Sequence, residues 1–232
     1  MNIHVAIIPD GNRRWAKIHG LSVLVGHQKG AEALERILKK TLDLRIDCFT
    51  FWGASISNLT KRPPEEVRFL NKMFTDQFLT LARNQIIHQN EIRVNVLGFW
   101  SSFLSKEAQQ SITEVIATTA TYNRGMLNFL IAYDGVEEML QAVRAIISEA
   151  RQYTSFALSR QEIKKRLLTK DLPPVDLVIR TGGEPHLSAG FMMWDIANAQ
   201  MVFSEKLWPD YTPEDFEQAL LEFQKRERRF GA

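Results

Sequence analysis

The chain has 232 residues, 45% of them hydrophobic and 24% charged, with 29 basic side chains against 27 acidic ones. This is ordinary globular composition, enough for one sizeable core, and the near balance of charge leaves no global field of the kind that gathers nucleic acid. Cys48 is the sole cysteine, which excludes a disulfide framework within the chain and points to a reducing compartment. No apolar run approaches the ~20 residues that span a bilayer, and Met1 is followed too closely by the first strand-like run for a signal peptide to fit. The expected location is therefore the cytoplasm, with a weak peripheral membrane contact left open.

Strand-like apolar runs fall near residues 3–8, 47–54, 92–98, 126–132, 175–180 and 201–204, and helical periodicity fills the intervals. The helices are expected over 30–44, 65–89, 106–118, 136–151, 160–168 and 213–228, with a polar loop over 152–160. In the first of these, Leu34, Ile37, Leu38 and Thr41 share a face; in the second, Val67, Leu70, Met73, Phe74, Phe78 and Leu81 do. Strands alternating with helices predict a single α/β domain built on a mainly parallel six-stranded sheet with helices on both faces, binding its ligand at the carboxyl ends of the strands.

The first run delivers Pro9-Asp10-Gly11-Asn12-Arg13-Arg14-Trp15-Ala16-Lys17 to that rim. Gly11 and Asn12 tolerate the backbone angles of an anion nest, and Arg13, Arg14 and Lys17 add positive charge beside it. A carboxylate amid these cations is either a structural salt bridge or a ligand for a divalent cation carrying phosphate oxygens. Gly26-His27-Gln28-Lys29-Gly30 reads as a glycine-flanked turn before a helix, with His27 as a phosphate donor, a proton carrier or a plain capping residue. After the second run come Ser55, Asn58 and Arg62 ahead of Pro63-Pro64, either hydrogen-bonding groups with an anion clamp or an N-capped helix start. Gly53 and Ala54 are small enough to leave room for an apolar ligand between the second strand and the helix that follows. The fifth run ends at Arg180-Thr181-Gly182-Gly183-Glu184-Pro185-His186-Leu187-Ser188, where an arginine is costly in a core and sensible as an anion clamp.

In this order and spacing, the segments His4 to Lys17, Gly26 to Gly30, Ser55 to Pro63, Asp176 to Glu184 and Leu207-Trp208-Pro209-Asp210 resemble the cis-prenyltransferase family, whose bacterial type member makes undecaprenyl diphosphate. The resemblance implies an enzyme that condenses isopentenyl diphosphate sequentially onto an allylic diphosphate such as farnesyl diphosphate, with Mg2+ as cofactor. The new double bonds are cis and the product is a polyprenyl carrier for envelope glycans. It assigns Asp10, His27 and Asn58 to catalysis, Asp10 as the metal ligand, with Gln200 standing where bacterial members often place a metal-binding glutamate. It assigns Gly11, Asn12, Arg13, Arg14, Trp15 and His27 to the allylic diphosphate, Ser55, Asn58 and Arg62 to the reacting centre, and Arg180, His186 and Ser188 to isopentenyl diphosphate. It further implies a hydrophobic tunnel between sheet and helices, and a homodimer completed by Arg229 of an Arg-x-Gly element. Departures from the family pattern stand at Val23, Leu59, His186, Gln200 and an extra residue at Ala189 or Gly190. They raise a second reading, a short-chain or irregular synthase joining two allylic units. A noncatalytic subunit of a heteromeric enzyme is disfavoured because Asp10 is kept.

Overall fold

The structure, a computed structural model, describes residues 2–152 and 156–226. In chain order its elements are β1 (His4–Ile8), α1 (Asn12–Ile18), α2 (Val23–Asp43), β2 (Cys48–Ala54), α3 (Ile56–Lys61), α4 (Pro64–Ala82), α5 (Gln85–Gln89), β3 (Ile92–Leu97) and α6 (Trp100–Phe103). There follow α7 (Lys106–Thr119), β4 (Gly125–Ile131), α8 (Gly135–Ala150), α9 (Arg160–Lys164), β5 (Leu177–Arg180), β6 (Gln200–Phe203), a 3-10 turn (Trp208–Asp210) and α10 (Pro213–Lys225). The six strands form one parallel sheet in the order β3-β4-β2-β1-β5-β6.

Burial on both faces explains why β1 is continuously apolar from Val5 to Ile8 rather than alternating. Val5 and Ile7 join Phe49, Phe51, Phe129 and Trp208 in one core; Ala6 and Ile8 join Trp52, Leu130, Val178 and Phe191 in the other. The chain leaves β1 for β2 on one side and later returns to β5 on the other, so the sheet order reverses at β1. The loops after β1 and β5 diverge there and open the crevice that such sheets use for ligands.

The strands lie close to the expected runs, whereas α1 and α6 are helices beyond those expected, the helix expected over 160–168 ends at Lys164, the end of the one expected over 213–228 lies outside the described residues, and three further stretches differ for a definite reason. The helix expected from residue 30 begins at Val23, because the Ser22 side chain accepts from Val25 N and caps it. Gly26 and Gly30 are thus not a turn but one face of α2 against α1. A Cβ on Gly26 would lie 2.3 Å from the Asn12 carbonyl oxygen, and one on Gly30 2.5 Å from Asn12 Oδ1. Close approach of the two helices offsets the roughly 0.5–1 kcal/mol that a mid-helix glycine costs. The helix expected over 65–89 breaks into α4 and α5, since Asn84 Oδ1 accepts from Ile86 N and Ile87 N and starts a new helix. The polar stretch after β2 holds the short α3, closed by a reciprocal capping box between Ser55 and Asn58.

Candidate active site

Asp10 emerges from β1 with its backbone pinned: its N–H donates to Thr181 Oγ1 at 2.9 Å and the Thr181 hydroxyl donates to its carbonyl at 2.8 Å. Its carboxylate faces two arginines, Arg180 Nη2 at 2.9 Å from Oδ2 and Arg14 Nη2 at 3.2 Å from Oδ1. Arg180 is only 4% exposed. Its Nη1 donates to the His186 carbonyl at 2.5 Å and to Ser188 Oγ at 2.9 Å, while its buried Nε has no partner. A buried guanidinium N–H left open in a site lined by cations is a donor waiting for a ligand oxygen. The loop is held this tightly because Gly182, at φ +90°, has Arg14 Nη2 only 2.4 Å from where a Cβ would stand.

A second cluster faces the first. Glu66, in the first turn of α4, is 5% exposed. One of its oxygens accepts from His27 Nε2 at 2.8 Å and forms ion pairs with Arg62 Nη1 at 3.1 Å and Arg13 Nε at 3.9 Å. Helices α1, α2 and α4 are thereby tied through a single carboxylate. Burial pushes the His27 imidazole below its ordinary value, outweighing the hydrogen bond to Glu66 that raises it. A neutral ring with its Nε2–H on Glu66 keeps an unprotonated Nδ1, so His27 orients the cluster and does not add a cation. The capping box occupies Ser55 Oγ and Asn58 Oδ1, and Asn58 retains its amide nitrogen for a ligand.

Both clusters open into one cavity of about 770 Å3. Asp10, Asn12, His27, Ser55, Asn58, Arg62, Arg180 and Ser188 line its polar end. Leu34, Leu38 and Leu42 of α2 face Leu70, Met73, Phe74, Phe78 and Leu81 of α4 along its apolar barrel, over Phe51, Phe129 and Ile131 of the sheet. The cavity lies between β2 and α4, where the sequence places a tunnel. Gly53 and Ala54 both lie in its lining, and a Cβ on Gly53 would lie 2.5 Å from Cδ1 of Ile131, a lining residue itself, so Gly53 also makes room for that side chain.

The remaining expected site residues divide. Gly11 caps α1 at φ +117°, with Leu207 pressed against the place of a Cβ. Arg13 and Arg14 flank the mouth through their ion pairs with Glu66 and Asp10. Trp15 is a brace and not a ligand contact: it is buried, stacks on His19 and donates from Nε1 to Asp210 Oδ1 at 2.7 Å. The His186 ring lies outside the cavity lining, 56% exposed; its backbone carbonyl, not its imidazole, holds Arg180. Gln200 pairs with Leu177 at the start of β6, three residues before Phe203, which pairs with Arg180 at the rim. Within this chain Gln200 and Asp10 are at opposite ends of the sheet, so they form no common metal set, and Gln200 Oε1 is buried without a partner. Among the described residues no group of three His, Cys, Asp or Glu side chains could hold a metal by itself. Arg229 lies outside the described residues. Glu66 and Thr181 were not singled out by the sequence reading, although Arg62 and Glu66 stand four apart across a Pro-Pro helix start, a spacing that pairs side chains.

The sequence matches the family model of the undecaprenyl diphosphate synthases over residues 8–231. An isoprenyl transferase of Thermotoga maritima is 38% identical over 98% of this chain and 96% of its own. A geranylgeranyl-diphosphate-specific tritrans,polycis-undecaprenyl-diphosphate synthase of Pyrococcus horikoshii is 39% identical over 98% of this chain and 86% of its own. The crystal structure of lavandulyl diphosphate synthase from Lavandula x intermedia in complex with dimethylallyl diphosphate superposes with a TM-score of 0.92 at 29% identity, covering 99% of this chain and 98% of that one. With a sheet, a rim and a tunnel that agree with these similarities, the chain belongs to the cis-prenyltransferase family, that of the undecaprenyl diphosphate synthases, and is a prenyl-transferring enzyme.

Proposed function

We propose that the enzyme carries out magnesium-dependent, sequential cis condensation of isopentenyl diphosphate onto an allylic diphosphate such as farnesyl diphosphate. The product is a polyprenyl diphosphate of the undecaprenyl type, a lipid carrier for cell-wall glycans. The observation that carries this reading is the continuity of one cavity from an arginine-rich rim to an apolar barrel, matching a diphosphate head joined to an isoprenoid tail. Arg62, Arg13 and Arg14, with the Asn58 amide and the Gly11-Asn12 backbone, hold the allylic diphosphate. Arg180 and Ser188 hold isopentenyl diphosphate at the other side of Asp10. As the allylic carbon–oxygen bond breaks, charge grows on the departing diphosphate, and guanidinium groups already fixed by Glu66 and Asp10 stabilise it without reorganising. The barrel keeps water from the allylic cation.

Asp10 is the residue that would hold magnesium. One carboxylate at the rim suits an ion that takes one or two carboxylates and completes its shell with substrate phosphates and water. When bound, the ion supplies further neutralisation of the leaving diphosphate. The two arginines on Asp10 can transfer to phosphate oxygens as substrate arrives.

The test is incubation of the purified chain with farnesyl and isopentenyl diphosphates, with and without Mg2+, followed by chromatography of the products. A metal-dependent ladder spaced by one isoprene unit is expected, and geranylgeranyl diphosphate, named for the Pyrococcus relative, is the starter to compare. A second reading, coupling of two allylic diphosphates, is favoured by the similarity to lavandulyl diphosphate synthase with dimethylallyl diphosphate and by the outward His186 ring. Coupling of dimethylallyl diphosphate alone, without extension by isopentenyl diphosphate, would select it.

The partner assignment follows the same reading. Val136, Leu140, Val143 and Ile147 are 40–55% exposed along one face of α8, with Met193 beside them, and this apolar stripe is the surface on which a second copy would dock as a homodimer. Among the described residues no helix is long and apolar enough to cross a membrane, so we place the enzyme in the cytoplasm, with peripheral contact for delivery of its lipid product.

A further inference from the structure

The loop that holds Arg180 is itself held from outside the cavity. Arg180 keeps its place through the His186 carbonyl and Ser188 Oγ, and both groups stand on the partly exposed stretch that precedes Phe191. From Phe191 onward the chain is fixed from several directions. Phe191 and Met192 are fully buried, and the Phe191 ring packs 5.2 Å from that of Trp52. Asp195 accepts from the Thr169 hydroxyl at 2.6 Å and pairs with Lys164.

Between these two parts the loop rests on the first residue of α8. Gly135 N donates to the Ala189 carbonyl at 2.9 Å, and a Cβ on Gly135 would lie 1.9 Å from the Gly190 carbonyl oxygen and 2.8 Å from its carbon. Gly135 is helical and not left-handed, so it is the approach of the Gly190 backbone that excludes a side chain there. Ala189 and Gly190, where the extra residue relative to the family pattern falls, turn onto α8 with φ of +46° and +59°. Ala132 leads into Gly135 and Met192 follows Gly190, both left-handed as well at φ +50° and +43°. Non-glycine residues stay in that region only where their surroundings over-determine them, so this junction is built to one position. The helix is anchored too: buried Glu138 accepts from Thr169 N at 3.1 Å and from the Tyr133 hydroxyl at 2.5 Å, whose oxygen also meets the Met192 backbone. A methyl group on Gly135 would stand roughly 1.5 Å inside van der Waals contact with Gly190. With α8 and Phe191 fixed, a packed interior passes that strain on to the stretch from His186 to Gly190.

We propose that Gly135 is a positioning residue for the second substrate. By admitting the Gly190 backbone it sets the place of Ser188 and of the His186 carbonyl, and through them the Arg180 guanidinium that meets isopentenyl diphosphate. The assignment rests on the function proposed above. Gly135 itself does not line the cavity, and the allylic side is organised separately by Glu66 on α4, so a change at Gly135 acts on one substrate and spares the other.

Wild-type enzyme, Gly135→Ala and Gly190→Ala are assayed with farnesyl diphosphate, labelled isopentenyl diphosphate and Mg2+, with KM measured for each substrate and folding checked by thermal melting. Gly190→Ala pushes on the same contact more gently from the other side, because its Cβ would meet the movable end of Met193 at 2.3 Å and Val136 Cγ2 at 3.2 Å. A misplacement of about 1 Å can cost about 100-fold, so Gly135→Ala should raise KM for isopentenyl diphosphate about 10–100-fold with KM for farnesyl diphosphate unchanged. Gly190→Ala should move the same constant in the same direction by less. A merely structural glycine would lower the melting temperature and leave both constants of the folded enzyme alone. A folded Gly135→Ala enzyme whose two KM values are unchanged, or rise together, overturns the assignment and leaves the condensation reading standing. If Gly135→Ala does not fold, Gly190→Ala decides, and an unchanged KM for isopentenyl diphosphate in that variant overturns the assignment. No incorporation of isopentenyl diphosphate by the wild type overturns the condensation reading and this assignment with it.

Discussion

Glu66→Ala tests whether the buried carboxylate organises the arginine side of the cavity. Glu66 is 5% exposed, and its removal strips His27 and Arg62 of the acceptor they share at 2.8 and 3.1 Å. Arg62 is itself only 18% exposed, so it remains a cation with its counter-charge gone. Breaking such a pair costs about 3–5 kcal/mol, and in a chain of this size each kcal/mol moves Tm by roughly 2–4 °C. A fall of about 6–20 °C in the melting temperature is expected by scanning calorimetry. A charge-assisted hydrogen bond from Arg62 to the allylic diphosphate is worth about 1.5–3 kcal/mol, and once Arg62 is loosened KM for that substrate should rise about 10–100-fold. Glu66→Gln, which keeps an oxygen acceptor but not the charge, should fall between the two. A Glu66→Ala enzyme that melts within about 2 °C of wild type with an unchanged KM would refute the reasoning.

Asp10→Asn should abolish turnover with a smaller fall in melting temperature than Glu66→Ala, because the amide oxygen can still accept from Arg180 although its counter-charge is gone; retained turnover at limiting Mg2+ would show that Asp10 is a salt-bridge residue alone. Burial pushes the Cys48 thiol up to about 12, so iodoacetamide at neutral or mildly alkaline pH should leave it unmodified in the native protein and label it on unfolding; rapid native labelling would contradict its burial in β2. Burial holds His27 and His4 below their ordinary 6.5, so the unfolded chain binds more protons than the folded one just below that value. Their contribution to stability is complete above pH 6.5 and is lost as the pH falls further, and His27→Gln should flatten the decline of Tm on that acid limb; a parallel slope in wild type and variant would remove His27 as its source. Gly53→Leu should destabilise the fold by displacing Ile131, whose Cδ1 lies 2.5 Å from the place of a Cβ. The alternative, a stable enzyme with shortened products, would mean that the side chain enters the tunnel instead.

The strands were legible because a doubly buried parallel sheet needs short continuous apolar runs, and residues 5–8 and 177–179 are such runs within β1 and β5. The convergence of Asp10 with Arg180 followed from that topology, since both sit at carboxyl ends of adjacent strands. What was not legible depends on side chains meeting across elements. Gly26 and Gly30 look like turn glycines until α1 is laid against them. Trp15 carries the composition of a ligand-binding segment, yet its partner Asp210 is 195 residues away. Gln200 is misplaced by motif position because a four-residue strand separates it from the rim. Glu66 resembles any acidic residue in a first helical turn, and only its burial beside His27 and Arg62 distinguishes it.

The central claim is that one cavity holds a diphosphate at the Asp10–Arg180–Arg62 rim and an isoprenoid chain between β2, α2 and α4. A crystal structure with Mg2+ and the unreactive farnesyl thiodiphosphate tests it most directly. The diphosphate should contact the Arg62 guanidinium, with the metal on Asp10 and the farnesyl chain against Leu38, Phe74 and Phe78. A farnesyl chain bound on any other surface, or a diphosphate with no contact to Asp10, its metal or Arg62, would contradict the account.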